Sequence, residues 1–135
     1  MLRLLALLLL PMVAACATTE PPAPSFASDR IGVEVRGQGP DVVLIPGLSS
    51  HPQVWESTVA AVPGYRYHLV HVAGFAGRPP GGNPSGPVGG PVAEEIARYI
   101  REQRLTKPAV VGHSMGGTMG MMLAARHPDL VGRLM

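Results

Sequence analysis

The stretch Val110-Val111-Gly112-His113-Ser114-Met115-Gly116-Gly117 decides how this 135-residue chain is read. It is an apolar run, then Gly-x-Ser-x-Gly, then a helical pattern. A serine so placed sits on a sharp turn between a strand and a helix. Gly112 and Gly116 flank that turn, where side chains would collide across a strained backbone. The turn lifts the Ser114 hydroxyl above the strand end. It also puts Ser114 at a helix N-terminus, where unpaired backbone N–H groups favour negative charge. That setting suits a nucleophile whose attack creates an oxyanion. The same pentapeptide also occurs as a plain Gly/Ser loop, so its flanks carry the weight.

Downstream, residues 114–127 read as a helix stopped by Pro128, and residues 131–135 as the start of one more strand. Met115, Met119 and Met122 share a helix face and read as core. Gly116, Gly117 and Gly120 let that helix pack closely on a sheet. Upstream, residues 108–111 form the strand before the motif. Residues 92–103 form an amphipathic helix, with Ile96, Tyr99 and Ile100 opposite Glu94, Glu95, Arg98 and Arg101. Residues 73–91 hold seven glycines and five prolines, so they read as a long loop, either at a site rim or a disordered excursion.

Nearer the start, 67–72 is a strand and 51–62 a helix, with Trp55 and Val59 on one face. Asp41-Val42-Val43-Leu44-Ile45 is an apolar run stopped by Pro46-Gly47, as expected of a strand buried on both faces. Residues 31–36 alternate, and 26–28 read as a short partner strand. Strands alternating with helices predict an α/β fold: a mainly parallel sheet with helices on both faces. In such sheets sites form at the carboxyl ends of strands. Pro46-Gly47-Leu48, Ala73-Gly74-Phe75 and His113-Ser114-Met115 all fall there.

The first residues read differently. Arg3 gives a positive start, residues 4–10 are unbroken apolar, and Pro11 ends the run. Residues 1–15 therefore read as a secretory signal, too short to span a membrane. Val13-Ala14-Ala15-Cys16 resembles a bacterial lipobox, which would make Cys16 the lipid-bearing first residue of the mature protein. The alternative is ordinary cleavage near Cys16. Residues 16–25 read as a Pro-rich tether, and the domain as 26–135. The expected location is beyond the bacterial inner membrane, lipid-anchored at the periplasmic face or the outer membrane. Charged residues make up 15% and the net charge is +2 with scattered Lys and Arg, which argues against a nucleic-acid surface.

Together these motifs resemble the N-terminal half of an α/β-hydrolase fold protein. Leu44-Ile45-Pro46-Gly47-Leu48 is similar to that family's oxyanion loop, with Pro46-Gly47 where the family often has His-Gly. His71-Val72-Ala73-Gly74-Phe75-Ala76-Gly77-Arg78 resembles the loop after its fourth strand. Gly112-His113-Ser114-Met115-Gly116 resembles its nucleophile elbow. The resemblance implies a serine hydrolase acting on a small ester-like substrate through an acyl-enzyme at Ser114. The backbone N–H groups of Leu48 and Met115 would hold the oxyanion. It implies no cofactor, and no His, Asp, Glu or Cys grouping has metal-ligand spacing.

The family's acid and histidine follow the serine in chain order. After Ser114 only His127 and Asp129 occur, in reverse order and beyond the end of a helix. His113 is directed away from its neighbour, His51 can line the pocket, and His68 and His71 read as strand residues with local hydrogen bonds. The chain therefore reads as truncated near the sixth strand. It is expected to be inactive and aggregation-prone alone, because the strand before Ser114 is left with little cover on one side. Two other classes stay open: acyl transfer or cofactor-free peroxidation on the same elbow, and a non-catalytic binding lipoprotein.

Overall fold

The computed structural model describes residues 25–135, so the signal, most of the tether and Cys16 lie outside the described residues. Its strands are β1 (Ile31–Gly37), β2 (Asp41–Ile45), β3 (Arg66–Val72), β4 (Ala109–Gly112) and β5 (Arg133–Leu134). A 3-10 turn (Pro52–Trp55) runs into α1 (Glu56–Ala61); α2 is Gly89–Glu102 and α3 is Met115–Arg126. The sheet order is β1-β3-β2-β4-β5. β1 is antiparallel to β3, and every other pairing is parallel.

β2 lies centrally because its apolar run serves both faces. Val43 and Ile45 join the larger core with Val70, Val72, Val110, Ile96, Ile100, Met119 and Leu123, beneath α2 and α3. Val42 and Leu44 face the other way with Tyr67 and Leu69, where Trp55 and Val59 pack over them. Helices thus cover both faces. Each fully buried Val, Leu or Ile side chain contributes about 1.5–3 kcal/mol, so this double use of four residues anchors the sheet. Cover is unequal, however. On the α1 face a groove of about 650 Å³ stays open between Val62, Tyr67, Val111 and Leu134.

Four sequence expectations are corrected. Residues 26–28 form no strand. The Ser28 hydroxyl instead accepts from the N–H groups of Arg30 and Ile31, and Phe26 packs edge-on against Tyr99 with ring centroids 4.9 Å apart. The helix read over 51–62 is a 3-10 turn followed by a short α-helix. α2 starts at Gly89, inside the expected loop; Pro91 is accommodated because first-turn N–H groups have no helical partner. β4 also has cover on its far side, since Ala109 and Val110 pair with Arg133 and Leu134 of β5.

The loop before α2 is tied down. Asn83 Nδ2 donates to the carbonyls of Arg30 (3.1 Å) and Ala73 (3.2 Å), and Asn83 Oδ1 accepts from Arg30 (2.8 Å). One side chain thus satisfies backbone groups from two segments, which places the loop over the carboxyl end of β3.

Candidate active site

β4 delivers the chain to Ser114, whose backbone sits at φ 54° and ψ −119°. A non-glycine residue there stores about 1–3 kcal/mol of strain and persists only if its surroundings enforce it. They do. Gly116 N–H donates to the His113 carbonyl (2.9 Å) and Gly117 N–H to the Ser114 carbonyl (2.9 Å), closing the turn. His113 N–H reaches across to the Ile45 carbonyl at 3.0 Å, so β2 holds the turn from the side. The glycines have no room for a side chain. A Cβ on Gly112 would strike the backbone of Gly116 and Gly117. One on Gly116 would strike the carbonyls of Ile45 and Pro46. Ser114 is exposed at the strand end.

The loop after β2 lies directly against this turn. A Cβ placed on Gly47 would stand 3.0 Å from His113 Nδ1 and 3.5 Å from Ser114 Cβ. The loop itself turns at 47–50, with Ser50 N–H donating to the Gly47 carbonyl (3.1 Å) and Ser49 at φ 57°. Among the described residues, neither Leu48 N–H nor Met115 N–H has a hydrogen-bond partner. Two free backbone donors therefore flank an exposed serine on adjoining loops. The third expected loop differs: Phe75 turns into the core, and the segment is held by Phe75 N–H to the Val72 carbonyl at 3.1 Å.

The histidines are otherwise engaged. His127 contacts Glu94 at 2.8 Å and Arg101 at 3.0 Å, at the far end of α3. His71 Nε2 donates to the Phe75 carbonyl at 3.2 Å, and burial lowers its pKa. His51 accepts from Gln53 N–H at 3.1 Å and packs edge-on against His71 with centroids 4.8 Å apart. His51, Pro52, His71 and Arg78 line a cleft of about 560 Å³. His113 lies exposed beside Gly47. No hydrogen bond joins any of these imidazoles to Ser114 among the described residues.

His68 departs from the sequence reading: its bonds are long-range, not local. Its Nδ1 lies 2.7 Å from the Tyr99 hydroxyl and its Nε2 2.9 Å from Asp41 Oδ1. Burial pushes Tyr99 up to about 12, so the phenol keeps its proton and donates. The His68 proton then sits on Nε2 and is shared with Asp41. Burial lowers the His68 pKa against the opposing pull of Asp41, so the ring is neutral. Burial also works against the Asp41 charge, but hydrogen bonds from Arg66 and His68 together hold its carboxyl below the ordinary value. This trio lies at the amino ends of β2 and β3, away from Ser114. Asp41 and Tyr99 carry no motif, and only the packing of β2 and α2 against β3 brings them to His68. Among the described residues, no group of three His, Cys, Asp or Glu stands close enough to hold a metal ion, and no helix is long and apolar enough to cross a membrane.

Comparison with known proteins agrees with this architecture. Over 100 residues the chain is 37% identical to the pimeloyl-[acyl-carrier protein] methyl ester esterase of Aeromonas hydrophila, covering 73% of this chain and 37% of that protein. Over 94 residues it is 33% identical to the Yersinia enterocolitica protein named "Putative carbamate hydrolase RutD", covering 69% of this chain and 34% of that one. Among solved structures, a marine microorganism esterase superposes with TM-score 0.66 at 25% identity, covering 77% of this chain and 40% of that one. The chain thus spans less than two fifths of the length of these two sequence relatives. The alpha/beta hydrolase fold family matches residues 40–135, a span holding both loops and Ser114. The chain belongs to the α/β-hydrolase fold family.

Proposed function

We propose that this protein is a serine hydrolase that cleaves small ester-like substrates, with Ser114 as its nucleophile. The observation that carries the reading is the enforced left-handed backbone of Ser114, pressed against the Gly47 turn. Ser114 Oγ attacks the substrate carbonyl, and the new oxyanion falls between the N–H groups of Leu48 and Met115. Preorganised donors of this kind are each worth on the order of 3 kcal/mol of barrier. The alcohol leaves, and water then releases the acid from the acyl-enzyme. This reading also requires a histidine base and a carboxylate that orients it, which on this fold come after the serine in the order acid then histidine. The methyl ester esterase named above supports the ester class, and nothing narrows the substrate further.

The test uses a fluorophosphonate probe on the protein expressed from its own gene, with the adduct located by peptide mass spectrometry. The expected result is one adduct on Ser114, lost in Ser114→Ala. A protein left unmodified, or modified elsewhere, overturns the reading.

Residues 1–15 act as a secretory signal in this proposal, and Cys16 carries the lipid that anchors the domain to the membrane. Support comes from the charged start, the apolar run and the small residues before Cys16. Incorporation of labelled fatty acid that persists in Cys16→Ser overturns the anchor.

A further inference from the structure

We propose that His51 is a positioning residue for the oxyanion turn, acting through the cap it places on the 3-10 turn Pro52–Trp55. The inference rests on Leu48 being an oxyanion donor. Leu48 and Ser49 are exposed, and the turn that holds them has a single internal backbone bond, Ser50 N–H to the Gly47 carbonyl. The position of Leu48 therefore depends on how the chain is fixed at each end. Gly47 is fixed by the elbow. His51 fixes the other end.

Two bonds run from His51 to the next residues. Its carbonyl accepts from Val54 N–H at 3.1 Å and its Nδ1 accepts from Gln53 N–H at 3.1 Å. With φ −82° and ψ 150°, His51 has the extended backbone of an N-cap. Pro52 follows, buried and without an N–H to satisfy. The ring packs edge-on against His71. His71 is itself held, since its Nε2 donates to the Phe75 carbonyl and its own carbonyl accepts from Arg78 at 2.7 Å. The exposed His51 imidazole thus lies between the turn it caps and the His71 ring at the carboxyl end of β3.

This arrangement carries a chemical signature. Nδ1 accepts only while it lacks a proton, so the neutral ring holds its hydrogen on Nε2. An Asn side-chain oxygen supplies the same acceptor at this position, whereas Ala leaves the Gln53 N–H without one.

The experiment compares wild type, His51→Asn and His51→Ala in the protein expressed from its own gene. Amide NMR at one pH compares Gln53 and Leu48 across the three proteins, and a stopped assay measures acylation of Ser114. In His51→Ala both amides are expected to move from their wild-type positions; in His51→Asn both stay close to them. His51→Ala is expected to acylate about fivefold more slowly, the factor for one lost cap, with KM within about twofold. His51→Asn is expected to recover most of that rate. A Leu48 amide that stays in place when Gln53 moves in His51→Ala, or an unchanged acylation rate in that variant, overturns the proposal. Coupled amides in a protein whose Ser114 never acylates support the link from His51 to the turn and refute the hydrolase reading instead.

Discussion

The two ends of the parallel strands are built on opposite principles. At the amino ends, Asp41, His68 and Tyr99 form a buried chain of hydrogen bonds in which every ring nitrogen has a partner. At the carboxyl ends, Ser114 and Ser49 hold left-handed backbones, Ser114 is exposed, and the Leu48 and Met115 N–H groups have no partner among the described residues. One end spends its polar groups on holding the sheet together; the other keeps them available for a ligand. An unpaired polar group is costly only when buried, so the free donors must sit on the open rim. Strain is sustainable there because Gly112, Gly116 and the Ile45 carbonyl hold the turn from outside it.

Ser114→Gly separates the two principles most sharply. It removes both the hydroxyl and the cost of the left-handed backbone. Ester hydrolysis is expected to fall by at least about a thousandfold while thermal stability rises by about 1 kcal/mol. Kinetics and calorimetry on one preparation check both, and a lower melting midpoint breaks the claim that the rim stores strain.

Gly116→Val attacks the support instead. The new side chain must enter the space of the Ile45 and Pro46 carbonyls, so the expected cost is about 3–5 kcal/mol. Urea titration followed by far-UV circular dichroism measures it.

At the other end, His68→Gln tests the buried chain through pH. Burial lowers the His68 pKa from its ordinary 6.5, so the unfolded chain binds this proton more tightly than the folded one. Stability contributed by the neutral ring is present in full above that value and is lost as the pH falls below it. The wild-type melting midpoint is expected to drop between pH 7.5 and pH 5.5. His68→Gln lowers the midpoint at pH 7.5 by an amount corresponding to about 1–3 kcal/mol and flattens that slope. An equal slope in both proteins assigns the acid sensitivity elsewhere.

The smallest effect belongs to neither end. Glu94 pairs with Arg126 and His127 between α2 and α3, where Glu94 and Arg126 are exposed and His127 is half-buried. Glu94→Gln is expected to leave the melting midpoint unchanged at physiological salt. A clear drop makes this exposed cluster a structural tie comparable to the buried one.

These contrasts show which parts of the molecule could be read from the chain. The apolar run of β2 was legible because a strand buried on both faces needs no polar alternation. The elbow was legible because Gly112 and Gly116 act on each other across four residues. The start of α2 was hidden behind Gly89-Gly90-Pro91, residues that punctuate loops yet fit a first helical turn. The expected strand at 26–28 failed because the Ser28 hydroxyl takes the N–H groups a partner strand would have used. His68 was misread as local because its partners, Asp41 and Tyr99, lie 27 and 31 residues away.

The sequence by itself determined the alternation of strands and helices, the two-faced β2 and the strained serine turn. Each rests on forces between residues within a few positions of one another. Only the tertiary structure decided that the Gly47 turn lies against Ser114 and that the His51 ring meets His71 edge-on. Those contacts follow from the register of β2 between β3 and β4, with Ile45 opposite Gly112 and Leu44 opposite Leu69. Register is set by how whole faces of the sheet bury their side chains, and no single stretch of chain contains that information.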